Sequence, residues 1–122
     1  MTKVNTFREL IVWQKSMILV TEIYSLTKLL PSHEKYGLIF QIRRCSVSIP
    51  SNIAEGFGRR NPKEFIHFLR ISIGSLFELQ TQIEICCNLE YIESAKFNVI
   101  YEQSREIERL IIGLKNSITE KS

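Results

Sequence analysis

Apolar residues recur along most of this chain at alternating steps of three and four, and no segment sustains the period-two alternation of a half-buried strand. That rhythm confines the chain to amphipathic helices. Leu10, Trp13, Met17, Val20 and Tyr24 share one helical face in the first segment, with Trp13 and Tyr24 expected in the core. Leu29-Leu30-Pro31-Ser32 closes it, because the residue before a proline is pushed out of helical backbone. A second segment begins near Glu34 and carries Leu38, Ile42, Cys45 and Ile49. The third aligns Phe65, Leu69, Ser72, Leu76, Leu79, Ile83 and Cys86 in a nearly heptad rhythm. A fourth, after Glu93-Ser94, aligns Phe97, Ile100, Ile107, Ile111, Leu114 and Ile118. The expected helices cover 7–29, 34–58, 62–89 and 94–118, with fraying from Thr119 onward. Short connections favour an all-α fold, an antiparallel up-down-up-down four-helix bundle in one domain spanning 1–122.

Local signals sharpen the joints. Asn61 is placed to cap the third helix, Pro62 fits its first position, and Glu64 sits where a capping-box acid belongs. Pro50 removes the helical bond to the Ser46 carbonyl, at a cost of ~3 kcal/mol or more inside a helix. The sequence predicts a second helix kinked near Pro50 but continuous to Gly56 and Gly58, with Ser46 and Ser48 available to the freed backbone groups. Ser72, Gly74 and Ser75 predict a close backbone approach in the third helix, since Gly74 costs about 1 kcal/mol of propensity against Ala.

At 122 residues the chain is long enough to bury a core, and 44% of it is apolar. No run approaches the ~20 apolar residues that cross a bilayer, and Met1-Thr2-Lys3-Val4-Asn5-Thr6 is not a signal peptide. A soluble, cytoplasmic protein without membrane association is expected. Cys45, Cys86 and Cys87 lack zinc spacing and read as buried small hydrophobes in a reducing compartment. Charge is uneven. Residues 1–70 hold eleven Lys/Arg against five Asp/Glu, and 71–122 hold five against eight, within a net +3. Such asymmetry fits either an anionic partner or self-association of basic and acidic faces.

The stretch at 41–60 is basic at both ends, small in the middle and broken by Pro50. It reads as a binding or assembly element. Ser48-Ile49-Pro50-Ser51-Asn52-Ile53-Ala54-Glu55-Gly56, followed by Gly58-Arg59, resembles the bacterial four-helix-bundle proteins encoded in intervening sequences of large-subunit ribosomal RNA genes. That family includes the accessory variability proteins of diversity-generating retroelements. Phe7-Arg8-Glu9-Leu10 with Val12-Trp13-Gln14, Gln41-Ile42-Arg43-Arg44, and Gly74-Ser75-Leu76 with Glu78-Leu79 and Gln82 extend the resemblance over residues 7–114. It implies an antiparallel bundle assembled into a homopentameric ring. In the retroelement branch, it implies a ring that meets nucleic acid and a reverse transcriptase through basic surface. The chain departs from that pattern in its mild charge, in Cys45-Ser46 where alanines are usual, and in Gln80 where an acid is common.

Arg43, Arg44, Arg59, Arg60, Lys63 and Arg70 are the candidate phosphate contacts. Lys63, His67 and Arg70 share one face of the third helix, and Arg59 and Arg60 precede its N-terminus, where free N–H groups favour anions. Pro50, Asn52, Glu55, Gly56 and Gly74 read as structural or interface positions, with a polar seam through Asn52, Glu55 and Arg59 and a buried Glu55–Arg59 pair. Gly56-x-Gly58 lacks the phosphate-loop pattern and reads as a helix C-cap. Tyr36, Phe40, Phe57 and Phe68 interleave with the basic positions; core or interface packing explains them more simply than base stacking. No nucleophile, paired acids or metal spacing is present, so no enzyme, cofactor or metal is expected. Two functions remain: a ring-forming, nucleic-acid-associated (RNA or DNA) scaffold, and a self-assembling protein-interaction module.

Overall fold

The computed structural model describes residues 4–121. Its frame is four helices: α1 (Ile11–Thr27), α2 (Leu38–Gly58), α3 (Pro62–Asn88) and α4 (Ser94–Lys121). Single 3-10 turns at Phe7–Glu9 and Ser32–Glu34 precede α1 and α2, and the described residues contain no strand. Each helix packs on two others, α1 on α2 and α4, and α3 on α2 and α4. The shared core is Leu19 and Ile23 of α1, Ile42, Ile49 and Ile53 of α2, Leu69, Leu76, Leu79 and Ile83 of α3, and Ile107 and Ile111 of α4. Each such side chain contributes about 1.5–3 kcal/mol by leaving water.

The core stripes of α3 and α4 follow the sequence periodicity, but α1 is rotated. It buries Val12, Ser16, Leu19, Ile23, Leu26 and Thr27, whereas Met17 and Tyr24 are 42% and 38% exposed. Two apolar stripes on α1 satisfy the same spacing, and the wrong one is the more aromatic. Trp13 is half-buried and packs against the core as expected, while its ring also stands 5.1 Å from Phe7 and the Arg8 guanidinium lies 5.6 Å from it. Leu10 is extended there, so α1 begins at Ile11 rather than near residue 7.

The start of α2 shifts likewise, from Glu34 to Leu38. Gly37 leaves helical backbone (φ −107°, ψ −111°), and the Glu34 carboxylate reaches over it to accept the Leu38 N–H at 3.2 Å. The other Glu34 oxygen accepts the Tyr91 O–H at 3.0 Å, tying this joint to the link between α3 and α4. From Leu38 the helix runs unbroken through buried Pro50 to Gly58. Ser46 and Ser48 do not serve the carbonyl that Pro50 frees. Ser46 Oγ donates to the Arg43 carbonyl at 2.9 Å, and Ser48 Oγ pairs with Ser75 Oγ at 2.8 Å.

The α2–α3 seam is where small residues matter. Ser72 Oγ donates to the Ile49 carbonyl at 2.9 Å, Ser48 Oγ pairs with Ser75 Oγ at 2.8 Å, and Cys45 Sγ meets Gln82 Oε1 at 3.3 Å; within α2, Asn52 Nδ2 donates to the Ser48 carbonyl at 2.8 Å. Partners fall along α3 as they rise along α2, so these two helices run in opposite directions. Gly74 takes no part in this close approach: it is exposed, and a Cβ built there meets nothing within 4 Å. Ser72 and Ser75 make the approach instead, together with Gly56.

Asn61 caps α3 as its sequence predicts, its Oδ1 accepting the Glu64 N–H at 3.1 Å. The other end turns at Glu90, in left-handed backbone (φ 63°), with the Glu90 N–H on the Cys87 carbonyl and the Tyr91 N–H on that of Cys86. Helix α4 continues to Lys121, past the expected end at 118 and through the expected fraying at Thr119; Ser122 lies outside the described residues.

Candidate nucleic-acid interface

The six candidate basic residues fall into two groups on α2, α3 and the link between them. Between Arg44 and Arg59 the helix rises about 22 Å, so one group sits near the start of α2 and the other at its junction with α3.

At the junction, Arg59 is already occupied. Its guanidinium stands 3.6 Å from Glu55 and 3.9 Å from Glu64, and lies 5.1 Å from the Phe68 ring. Both acids are about half exposed, so the Glu55–Arg59 pair is a surface pair, not the buried one its spacing suggested. Pairs of this kind contribute ~0–1 kcal/mol. The polar seam therefore omits Glu55 and Arg59 and runs through Asn52, Ser48 and Ser75. Arg60 closes the turn in left-handed backbone (φ 56°), donates to the Asn5 carbonyl at 3.3 Å and lies 5.2 Å from the Phe57 ring.

Lys63 and Arg70 are different. Both are exposed on one face of α3 with His67 between them, and neither has an ion-pair or hydrogen-bond partner among the described residues. Their charges are free to meet an anion, and Lys63 lies in the first turn of α3, beside its N-terminal N–H groups.

In the second group Arg43 is fixed by its neighbours. Its Nε donates to Thr27 Oγ1 at 2.8 Å, and its guanidinium lies 4.5 Å from the Tyr24 ring. Arg44 is exposed, without a partner among the described residues. Both border a groove of about 460 Å³ between α1 and α2, lined also by Tyr24, Lys35, Tyr36, Ile39, Phe40 and Val47. Three of the lining residues are cationic and none is acidic. Tyr36 is 86% exposed and Phe40 is 52% exposed, while Phe57 and Phe68 are half-buried as packing predicts. Tyr36 and Phe40 therefore lie outside the core of the single chain, and the interface half of the packing account is untested by it.

Sequence reading left Lys35 out of the site and placed Tyr24 in the core. A signal was present in the spacing: Phe40, Arg44 and Val47 fall on the α2 face opposite Ile42, Cys45 and Ile49.

Among the described residues no three His, Cys, Asp or Glu side chains are placed to share a metal ion, and no helix is long and apolar enough to cross a membrane. Burial, then the charge of Glu78, pushes the Cys45 thiol up to about 12, which leaves it protonated and unreactive.

The family model of the 23S rRNA-intervening sequence protein matches residues 8–113. No curated protein matches the chain. A solved structure from Bacteroides thetaiotaomicron, described as a protein of unknown function from the S23 ribosomal protein family, is similar at 29% identity and a TM-score of 0.81. The similarity covers 87% of this chain and 96% of that one.

Proposed function

The chain belongs to the 23S rRNA-intervening sequence protein family, and from that premise we propose that it is a non-enzymatic, cytoplasmic helical bundle that forms a homopentameric ring and acts as a nucleic-acid-associated scaffold. The observation that carries this reading is the pair of unneutralised cations, Lys63 and Arg70, on one exposed face of α3. Charges with internal partners add little to a phosphate contact. Charges without them add a salt-dependent increment each. Arg59 and Arg60 contribute background positive potential at the same corner.

Ring assembly is supported by the apolar surface the bundle leaves in water, including Ile11 (62% exposed), Ile18 (57%), Leu29 (62%) and Val99 (58%). The same surface favours a second reading, a protein-interaction module that binds no nucleic acid. Binding of structured RNA and of single-stranded DNA across a salt series separates the two. Affinity that falls with salt at a slope equivalent to several phosphates supports the scaffold, and no binding at low salt leaves the interaction module. Light scattering tests the ring independently, since a mass near 14.3 kDa would show a monomer.

A further inference from the structure

We infer that the groove between α1 and α2 is a stacking site for unpaired bases of a single-stranded nucleic acid, separate from the phosphate face on α3. Tyr36 and Phe40 are aromatic residues, 86% and 52% exposed, that line the same groove. Around them stand Lys35, Arg43 and Arg44, with Lys35 Nζ 5.4 Å from the Tyr36 ring and Arg43 held over Tyr24. Ring faces bordered by cations, with no acid in the lining, match one partner chemistry: planar bases carried on an anionic backbone. A duplex hides its base faces within its own stack, so the groove selects unpaired nucleotides. Arg44, exposed and without an internal partner, is placed to take the accompanying phosphate. Both rings are exposed and neither packs against the hydrophobic core, so their removal is expected to leave the fold intact.

The inference rests on the nucleic-acid reading above, and its test separates the two. Wild type and a Tyr36→Ala/Phe40→Ala variant are titrated with a labelled adenine-rich single-stranded RNA, its DNA counterpart and a blunt RNA duplex of equal length. Circular dichroism and light scattering accompany each variant. The expected result is a loss of about tenfold or more for each single strand, from the stacking lost at each base. Duplex affinity stays within about twofold, and Tyr36→Phe, which keeps both rings, retains wild-type single-strand binding. Unchanged single-strand affinity, or equal loss on single strand and duplex, overturns the inference and leaves the scaffold reading in place. A changed oligomer mass also overturns it, assigning the groove to contacts between copies. If the wild type binds none of the probes at low salt, the scaffold reading falls and the inference falls with it.

Discussion

Gly56 of α2 lies directly against Phe68 of α3: a Cβ built on Gly56 would stand 2.7 Å from the Phe68 Cβ and 3.1 Å from Phe65 Cδ1. The link between the two helices is only Arg59-Arg60-Asn61, so their adjoining ends are forced together just where the chain reverses. A hydrogen in place of a side chain at position 56 is what permits that approach.

Gly56→Ala therefore meets two opposed effects. Helix propensity favours Ala by about 1 kcal/mol, whereas overpacking against the backbone-attached Phe68 Cβ costs about 1–3 kcal/mol. Net destabilisation of about 1 kcal/mol is expected in urea unfolding. Gly74→Ala, which meets nothing within 4 Å, should instead gain about 0.5–1 kcal/mol. Equal shifts from the two substitutions would refute the asymmetry.

Glu90 occupies the left-handed position that ends α3, where glycine is the favoured residue. A side chain there costs roughly 1–2 kcal/mol, partly offset by the greater unfolded-state freedom of glycine. Glu90→Gly should raise stability by about 0.5–1 kcal/mol with no change in the α3 boundary. Urea midpoints measure the gain, and a loss of stability would show that the Glu90 side chain makes a contact of greater value than the strain it imposes.

The cysteines should divide by burial. Cys45 and Cys86 are buried and Cys87 is half-buried. Burial raises the Cys45 thiol from 9.0 to about 12 and the Cys86 thiol to about 11, with Glu78 and Glu34 the respective secondary causes. A thiol-specific reagent at about pH 8 should label Cys87 rapidly and the other two only after urea is added. The folded state keeps protons that the unfolded state gives up above 9.0, so this stabilisation is complete below pH 9.0 and disappears as pH climbs towards 11 to 12. Cys45→Val should flatten that decline, and equal labelling of all three thiols in the native protein would contradict it.

Periodicity made the helices legible because α3 has a single stripe that can be buried: Leu69, Ser72, Leu76, Leu79, Ile83 and Cys86 all lie in the core. On α1 it was ambiguous, since Val12, Leu19, Ile23 and Leu26 obey the same spacing as Trp13, Met17 and Tyr24. Spacing along one helix carries no information about which stripe meets the neighbours. For the same reason Gly74 read as a packing position, although the contact it implied belongs to its neighbours Ser72 and Ser75. The basic candidates were identifiable by residue type. Which of them keep a free charge depends on neighbours from other helices, such as Thr27 of α1 for Arg43 and Glu64 of α3 for Arg59, and only the three-dimensional arrangement supplies those.

That distinction sets the choice of residues for testing the phosphate face. Arg59→Glu would put a third carboxylate beside Glu55 and Glu64, so loss of binding could follow from a damaged junction. Lys63→Glu with Arg70→Glu disturbs no partner, and surface changes of this kind stay within about 0.5 kcal/mol in stability. Each phosphate contact contributes about 0.9 to the salt slope on a duplex and about 0.7 on a single strand. The double variant should therefore lower the duplex slope by about 1.8 and weaken binding to all sequences alike, with urea midpoint and oligomer mass unchanged. Arg59→Lys, which keeps the charge but loses the planar contact with Phe68, should leave the slope as it is. A double variant with the wild-type slope would place the phosphates elsewhere, with Arg44 the next candidate to reverse.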